Sequence, residues 1–317
     1  MDRSNLSDIL ALSVFILFSG LGSAEAGTAA EPGHAMPQPA QTRNLEDSMG
    51  SAVAAQFTET VESRYFIFYS TIPRARLQEY AHFADLFLDL VDRDFIKLRV
   101  AQRVNAVVLP NKAEFQRFLI KQLRVRKPSE YGMYLGDKNL FVTYDGSGLG
   151  TFSHEIMHYV IDTMLPECPA WAIEGIPAFF EKFYGYEENG QLQLKWGYQN
   201  PWRIQAMGER VPRLKLRTVL YGSDDTSEKR LLSVFLYQQG KLQTFLDLVR
   251  QADKKGFRTY VEAAFAKPLY EIEGEWQAYL NAIHANRDKI YQLPLSMYFP
   301  AAHEFAVFER ENSAVLQ

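Results

Sequence analysis

The chain has 317 residues, of which 47% are hydrophobic and 23% are charged. This globular composition can form one large domain or two smaller ones. The formal net charge of -4 at pH 7 gives no electrostatic reason to expect nucleic acid or an anionic membrane as partner. Because Cys168 is the only cysteine, an intramolecular disulfide is excluded.

Residues 1–26 are predicted to be a signal peptide. The apolar run from Ile9 to Phe18 precedes small residues that suit cleavage after Ala26. Because the run is shorter than the roughly 20 residues that a membrane span needs, export is favoured over anchoring. Asp2 and Asp8 depart from the usual basic start, so an uncleaved anchor is the alternative. We expect a secreted or periplasmic protein with no stable membrane span after cleavage.

Residues 27–56 are rich in Ala, Pro, Gly and Gln, a composition that predicts a flexible leader. Residues 57–166 are predicted to form an α/β lobe, because β-branched or aromatic runs alternate with helical apolar spacing. A glycine-rich turn then leads into a last helix. The predicted strands are Tyr65–Tyr69, Val104–Leu109 and Asn139–Thr143, and the predicted helices contain Leu77–Val91 and Ala113–Leu123.

After Pro166 the pattern becomes mainly helical, apart from a hairpin predicted near Leu192–Trp196. Residues 167–285 are assigned to a helical lobe, and residues 286–317 to a C-terminal extension without an interpretable motif. The predicted fold class is α+β, with a small mixed sheet in the first lobe. The clearest helices of the second lobe are Leu231–Tyr237, Leu242–Val249, Tyr260–Ala266 and Leu269–Ile283.

The sequence HEIMH at residues 154–158 is an HExxH motif on a predicted helix. Helical residues four apart lie on one face, so the imidazoles of His154 and His158 can converge on one ion. Glu155 lies about 100° round the helix, where it can take a proton from water. HExxH also arises by chance, and the alternative is a helix with two satisfied core histidines. Catalytic zinc needs a third ligand, which Glu174 can supply from a second helix.

Glu174 lies in the segment WAIEGIPAFFE at residues 171–181. With HEIMH, this segment resembles the gluzincins, the superfamily of thermolysin-like and aminopeptidase-like zinc peptidases. It looks most like compact, peptidase-MA-like bacterial proteins. The resemblance covers residues 65–283 and implies a zincin-like fold, zinc held by His154, His158 and Glu174, and Glu155 as general base. The implied activity is hydrolysis of a peptide or protein substrate.

One feature supports that resemblance and two depart from it. Trp171 and Glu181 match the family pattern, with packing and orientation as their simplest roles. Pro177 replaces the usual alanine and is expected to kink the helix or hold it open. The Gly-Ala-Met-Glu-Asn motif of aminopeptidases is absent, and residues 132–134 echo it poorly. An endopeptidase is therefore favoured over an aminopeptidase.

Two alternatives to a zinc peptidase stay open. They are a catalytically silent binding or assembly module and a zinc hydrolase of a non-peptide substrate.

Several other residues have two interpretations. Asp162 can orient a ligand or be a solvated or capping aspartate, and Cys168 can be a thiolate near zinc or a small buried side chain. The strand at residues 140–143 can bind an extended peptide as an extra strand. His82 is interpreted as structural. The residue that stabilises the oxyanion in the family is unassigned, with Tyr221, His284 and His303 as candidates by chemistry.

Overall fold

The computed structural model describes residues 45–99, 102–252, 260–295 and 297–313. Within these residues the fold is α+β, as predicted, with 14 helices and two mixed sheets. The predicted signal peptide and its cleavage site lie outside the described residues. No helix in the described ranges combines the length and apolar character needed to cross a membrane.

Two compact units make up the chain. The first contains the described residues up to Leu88 together with Arg99–Phe152, and the second contains Asp89–Leu98 and the described residues from Ser153 onward. The sequence pattern suggests a boundary at residue 166, after the HEIMH helix. By this division the whole HEIMH segment belongs to the second unit.

The elements up to the HEIMH helix include the three predicted strands and the two predicted helices between them, together with two strands that the sequence pattern does not predict, Glu59–Glu62 and Gly132–Leu135. Residues 45–56, which the composition assigned to a flexible leader, instead contain two short helices, and Leu45 is buried in the core. A π-helical turn at Phe118–Gln122 extends the helix that precedes it. In order the elements are α1 (Leu45–Met49), α2 (Ser51–Ala54), β1 (Glu59–Glu62), β2 (Phe66–Ser70), α3 (Arg74–Asp94), β3 (Val104–Leu109), α4 (Lys112–Arg117), β4 (Gly132–Leu135), β5 (Leu140–Tyr144) and α5 (Leu149–Met164).

The five-stranded sheet has the order β1-β2-β3-β5-β4. Strands β2, β3 and β5 are parallel, while β1 and β4 pair antiparallel to their neighbours. Every residue of β3 is buried, as expected for a central parallel strand with both faces covered. Because β5 is paired on both edges, the hypothesis that residues 140–143 bind a peptide as an extra strand is wrong.

The core of the first unit includes a cluster of aromatic rings around Phe152. The Phe152 ring lies within 5.2–6.2 Å of four other rings, those of Phe68, Tyr80, Phe83 and Phe141. The loop that leads to α5 is held at Asp145, whose Oδ1 accepts hydrogen bonds from Arg76 Nε at 2.9 Å and Tyr80 Oη at 3.0 Å. Gly146 and Gly148 have φ of 92° and 90°, which explains the glycines of this turn.

The second unit is mainly helical, and it contains the predicted hairpin and the four predicted helices. A three-stranded sheet has the order β7-β6-β8. The C-terminal extension packs here, because β8 pairs parallel to β6 and the Phe305 ring stacks on Tyr186 at 4.7 Å. After α5 the elements are α6 (Ala170–Phe180), β6 (Tyr184–Glu188), β7 (Gln191–Lys195), α7 (Pro201–Met207), α8 (Leu216–Tyr221), α9 (Thr226–Gln238), α10 (Leu242–Gln251), α11 (Tyr260–Phe265), α12 (Leu269–Ala285), α13 (Arg287–Ile290), β8 (Tyr298–Phe299) and α14 (Ala302–Glu311).

Candidate metal centre

Helix α5 brings the two histidines of HEIMH together. His154 and His158 are one turn apart, and their Nε2 atoms are separated by 3.0 Å. The helix is apolar almost all round, with Ile156, Met157 and Val160 fully or almost fully buried. Ser153 Oγ donates a hydrogen bond to the carbonyl of Phe180, at the end of α6. The histidine helix is thereby tied to the helix that carries Glu174.

Glycine at position 175 allows α6 to approach α9 closely. A Cβ atom on Gly175 would lie 2.8 Å from the carbonyl oxygen of Lys229 and 3.0 Å from Ser233 Oγ, both on α9. Any larger side chain would push the helices apart. The helix continues through Pro177 to Phe180, so the proline does not end it. Because Pro177 has no N–H, it cannot donate to the carbonyl of Ile173 beside Glu174.

The carboxylate of Glu174 faces both imidazoles. Its Oε2 lies 3.7 Å from His154 Nε2, and its Oε1 lies 3.8 Å from His158 Nε2. The potential ligand atoms of these three residues all lie within 4.8 Å of one another, so the group can hold a metal ion. The Glu174 side chain is 38% exposed, compared with 11% for His154 and 19% for His158. Solvent therefore reaches the group beside Glu174.

The donor spacing fits a small tetrahedral cation. Zinc binds imidazole nitrogen at about 2.0–2.1 Å and carboxylate oxygen at about 2.0–2.2 Å, so two ligands at a tetrahedral angle lie about 3.3–3.5 Å apart. The observed separations of 3.0, 3.7 and 3.8 Å are within half an ångström of that spacing. Two imidazoles and one carboxylate also form a ligand set that leaves a tetrahedral position open.

The two histidines have different protonation tendencies. Burial, followed by the neighbouring His154, lowers the pKa of His158 to about 3, which leaves it neutral at pH 7. Burial alone would also lower the pKa of His154, but the Glu181, Glu155 and Glu174 carboxylates outweigh it and raise that pKa. The proton on His154 is thus favoured by the same carboxylates that would attract a cation.

Glu181 contacts the far side of the His154 ring. Its Oε1 lies 2.8 Å from His154 Nδ1, although the ring N–H is not well aligned on that oxygen, so this is a close charged contact rather than an ideal hydrogen bond. Both oxygens of Glu181 accept hydrogen bonds from the guanidinium of Arg203. Burial would raise the pKa of Glu181, but His154 and then Arg203 bring it down to about 2. The carboxylate is therefore charged.

The residues of the predicted site occupy one unit. Glu155, the proposed base, is only 8% exposed on the same helix as the two histidines. Trp171 packs on the ring of Phe245 at 5.2 Å, which agrees with a packing role. Sequence reasoning missed Arg203, because α7 has no clear helical periodicity and no motif includes this arginine.

The other candidates do not join the ligand group. The group consists of His154, His158 and Glu174 and contains none of Asp162, Cys168, His284 and His303. Cys168 is buried, and burial raises the pKa of its thiol to about 12, so the small buried side chain is the better interpretation. Asp162, His82 and His303 are exposed, Tyr221 is 62% exposed, and His284 contacts Arg287.

Comparison with known proteins adds no family assignment. No known family model matches the sequence, and no curated protein shows significant similarity to it. The function is therefore inferred from the geometry and chemistry of the site.

Proposed function

We propose that this protein is a zinc-dependent peptidase of the gluzincin kind, with a zincin-like catalytic fold. His154, His158 and Glu174 are the proposed ligands, and Glu155 is the proposed general base. The observation that carries the proposal is the approach of three donor groups from two helices to within 4.8 Å, with Glu155 adjacent in the chain to His154. The resemblance of HEIMH and WAIEGIPAFFE to the gluzincin pattern agrees with this arrangement.

Zinc in such a site supplies a Lewis acid that polarises a carbonyl and brings the pKa of water down to roughly 7. Neutral His158 offers an imidazole lone pair at pH 7, because its pKa is lowered to about 3. Glu155 accepts a proton from the attacking water and passes it to the leaving amine. The low exposure of Glu155, 8%, limits exchange of that proton with bulk solvent.

The proposed substrates are peptides or proteins, cleaved internally rather than from a free amino terminus. The aminopeptidase motif for binding that amine is absent from the sequence. The proposed location is the periplasm or the exterior of the cell, after removal of the predicted signal peptide. Near-neutral charge agrees with a partner that is not nucleic acid.

The test is zinc content together with hydrolysis of unfolded casein. The wild type is expected to bind stoichiometric zinc and to cleave casein. Glu155→Gln is expected to keep zinc and to lose about 10²–10⁴-fold in rate, because general base catalysis contributes that much. Glu174→Ala is expected to lose zinc. Glu188→Gln, an exposed carboxylate change in the same unit, is the matched control and should alter neither property.

Other results would redirect the proposal. Zinc binding without cleavage by the wild type would favour the silent binding module or a hydrolase of a non-peptide substrate. A wild type that binds no zinc would overturn the metal site. Cleavage that is unchanged in Glu155→Gln would overturn the role of Glu155 as base.

A further inference from the structure

One carboxylate lies between a buried arginine and a proposed metal ligand. Arg203 on α7 is 9% exposed, and its Nε donates to Glu181 Oε2 at 2.7 Å while its Nη2 donates to Glu181 Oε1. The same Oε1 lies 2.8 Å from His154 Nδ1. The residues therefore form a continuous series of charged contacts that joins α7, the end of α6, and α5.

Arg203 is itself held in place. Its Nη1 donates to Ser227 Oγ at 3.4 Å, and its guanidinium carbon lies 4.3 Å from the centre of the Trp202 ring. A guanidinium that donates two parallel hydrogen bonds to a carboxylate fixes the plane of that carboxylate. The single ammonium group of a lysine does not fix it. The orientation of Glu181 thus depends on Arg203.

Stability alone is a weak reason for burying these charges. Moving an ion pair out of water costs several kcal/mol for each ion in general, and apolar replacements are often as stable or more stable. A charged group beside a metal ligand can instead serve metal binding. A carboxylate at one ring nitrogen of a histidine sets the tautomer and the orientation in which the other ring nitrogen binds the metal.

We propose that Arg203 is a positioning residue for the metal site and acts through Glu181. Arg203 fixes the Glu181 carboxylate, which holds the Nδ1 side of His154 and directs Nε2 toward His158 and Glu174. The inference rests on the metal-binding part of the proposed function and is independent of peptidase activity. It assigns to this arginine a role that no motif in the sequence indicates.

The test is a double-mutant cycle in which the zinc affinity of each protein is measured by competition with a chelator. The proteins are the wild type, Arg203→Gln, Glu181→Gln and the double variant. Loss of a partner around a metal ligand lowers affinity roughly 10–100-fold, and we expect Arg203→Gln to fall in that range. When Glu181→Gln is already present, adding Arg203→Gln should change zinc affinity by less than about twofold, because Arg203 acts on the site only through the Glu181 carboxylate.

Two controls separate positioning from folding. Arg210 also pairs with two carboxylates in the second unit, Asp225 at 2.9 Å and Glu228 at 3.1 Å, and it does not contact a proposed ligand. Arg210→Gln should leave zinc affinity unchanged. Thermal unfolding of each metal-free variant measures its fold separately. If Arg203→Gln does not fold, Arg203→Lys replaces it in the cycle, with a smaller expected loss because one charged donor remains.

The outcomes are distinct. Equal losses for the Arg203 change in both backgrounds, or wild-type affinity in Arg203→Gln, would overturn the positioning role while leaving the metal site intact. Failure of the wild type to bind zinc would overturn the metal site and this inference together. Loss of affinity only when Glu181 is present would support the inference even if casein is not cleaved.

Discussion

The two units of the molecule differ in the polar side chains that they bury. Among the described residues, the buried polar side chains of the first unit are all neutral: Ser48, Ser70, Asn105, Asn139, Thr143 and Ser147. The buried acidic and basic side chains among these residues all belong to the second unit: His154, Glu155, Lys182, Arg203, Glu228 and Arg230. Because burying charge is costly unless it is paired, this difference indicates where the molecule gives up stability for chemistry.

The neutral groups of the first unit complete its backbone hydrogen bonding. Ser70 Oγ donates to the carbonyl of Val108 at 2.6 Å, and Thr143 Oγ1 donates to the carbonyl of Tyr131 at 3.1 Å. In the second unit, charged groups do similar work, since Arg230 donates to the carbonyls of Ala178 and Tyr198. The first unit thus satisfies these carbonyls with neutral hydroxyl groups, whereas the second also uses a buried guanidinium.

The largest expected effect concerns the packed rings of the first unit. Phe152 is fully buried within its ring cluster, so Phe152→Ala should lower the free energy of unfolding by about 3–5 kcal/mol through lost burial and a cavity. Urea unfolding followed by circular dichroism measures the change. Ile120→Ala, at a side chain that is 52% exposed, is the control and should stay within about 0.5 kcal/mol. A loss below about 1 kcal/mol at Phe152 would contradict the packing argument.

A smaller loss is expected from the buried charge of the second unit. Arg230 donates hydrogen bonds to the carbonyl oxygens of Ala178 at 2.8 Å and Tyr198 at 2.6 Å. Arg230→Met leaves both buried carbonyls without a donor, so the free energy of unfolding should fall by about 2–4 kcal/mol. The same urea experiment measures it. Arg250→Met, at an exposed helix end, should be nearly neutral. Equal or increased stability in Arg230→Met would break the comparison, because the buried charge would then contribute nothing to the fold.

The close approach of α6 and α9 predicts a loss of stability that is smaller than the loss expected from Arg230→Met. In Gly175→Ala the new methyl group meets the Lys229 carbonyl at 2.8 Å, so the helices must shift and stability should fall by about 1–3 kcal/mol. Gly274→Ala is the matched control, since nothing lies within 4 Å of its new Cβ. That change should stabilise α12 by about 0.5–1 kcal/mol. Both midpoints come from urea titrations, and the same sign for the two variants would contradict the prediction.

The smallest expected effect is a pH dependence in the second unit. Burial raises the pKa of Cys168 to about 12, whereas the pKa of an unfolded thiol is about 8.5. Between these values the unfolded chain binds fewer protons than the folded chain, so stability falls as pH rises, by at most about 1.4 kcal/mol per pH unit. Wild type should therefore lose more stability than Cys168→Ala between pH 8 and pH 9, by less than about 1 kcal/mol. Parallel losses in urea unfolding would show that this thiol does not contribute.

Local patterns in the sequence determined most elements and the first part of the site. The buried run Val104–Leu109 predicts its strand to the residue, because one segment contains the whole signal. HEIMH likewise places two histidines on one helical face through the pitch of the helix alone. Glu174 follows from the need of zinc for a third ligand together with a resemblance that spans two separate segments, and the geometry of the ligand group agrees with it.

The tertiary structure decided what depends on residues far apart in the chain. Pairing between strands put β4 at a sheet edge and β5 inside, which removed the predicted peptide-binding edge. Short strands such as β4 and β8 carry too few residues for a clear periodic signal. The contact of Arg203 with Glu181 joins residues 22 positions apart, and no helical or strand periodicity relates them. The fold brings the Arg203 guanidinium on α7 to the carboxylate that follows α6, so only the folded chain reveals that this carboxylate lies between Arg203 and His154.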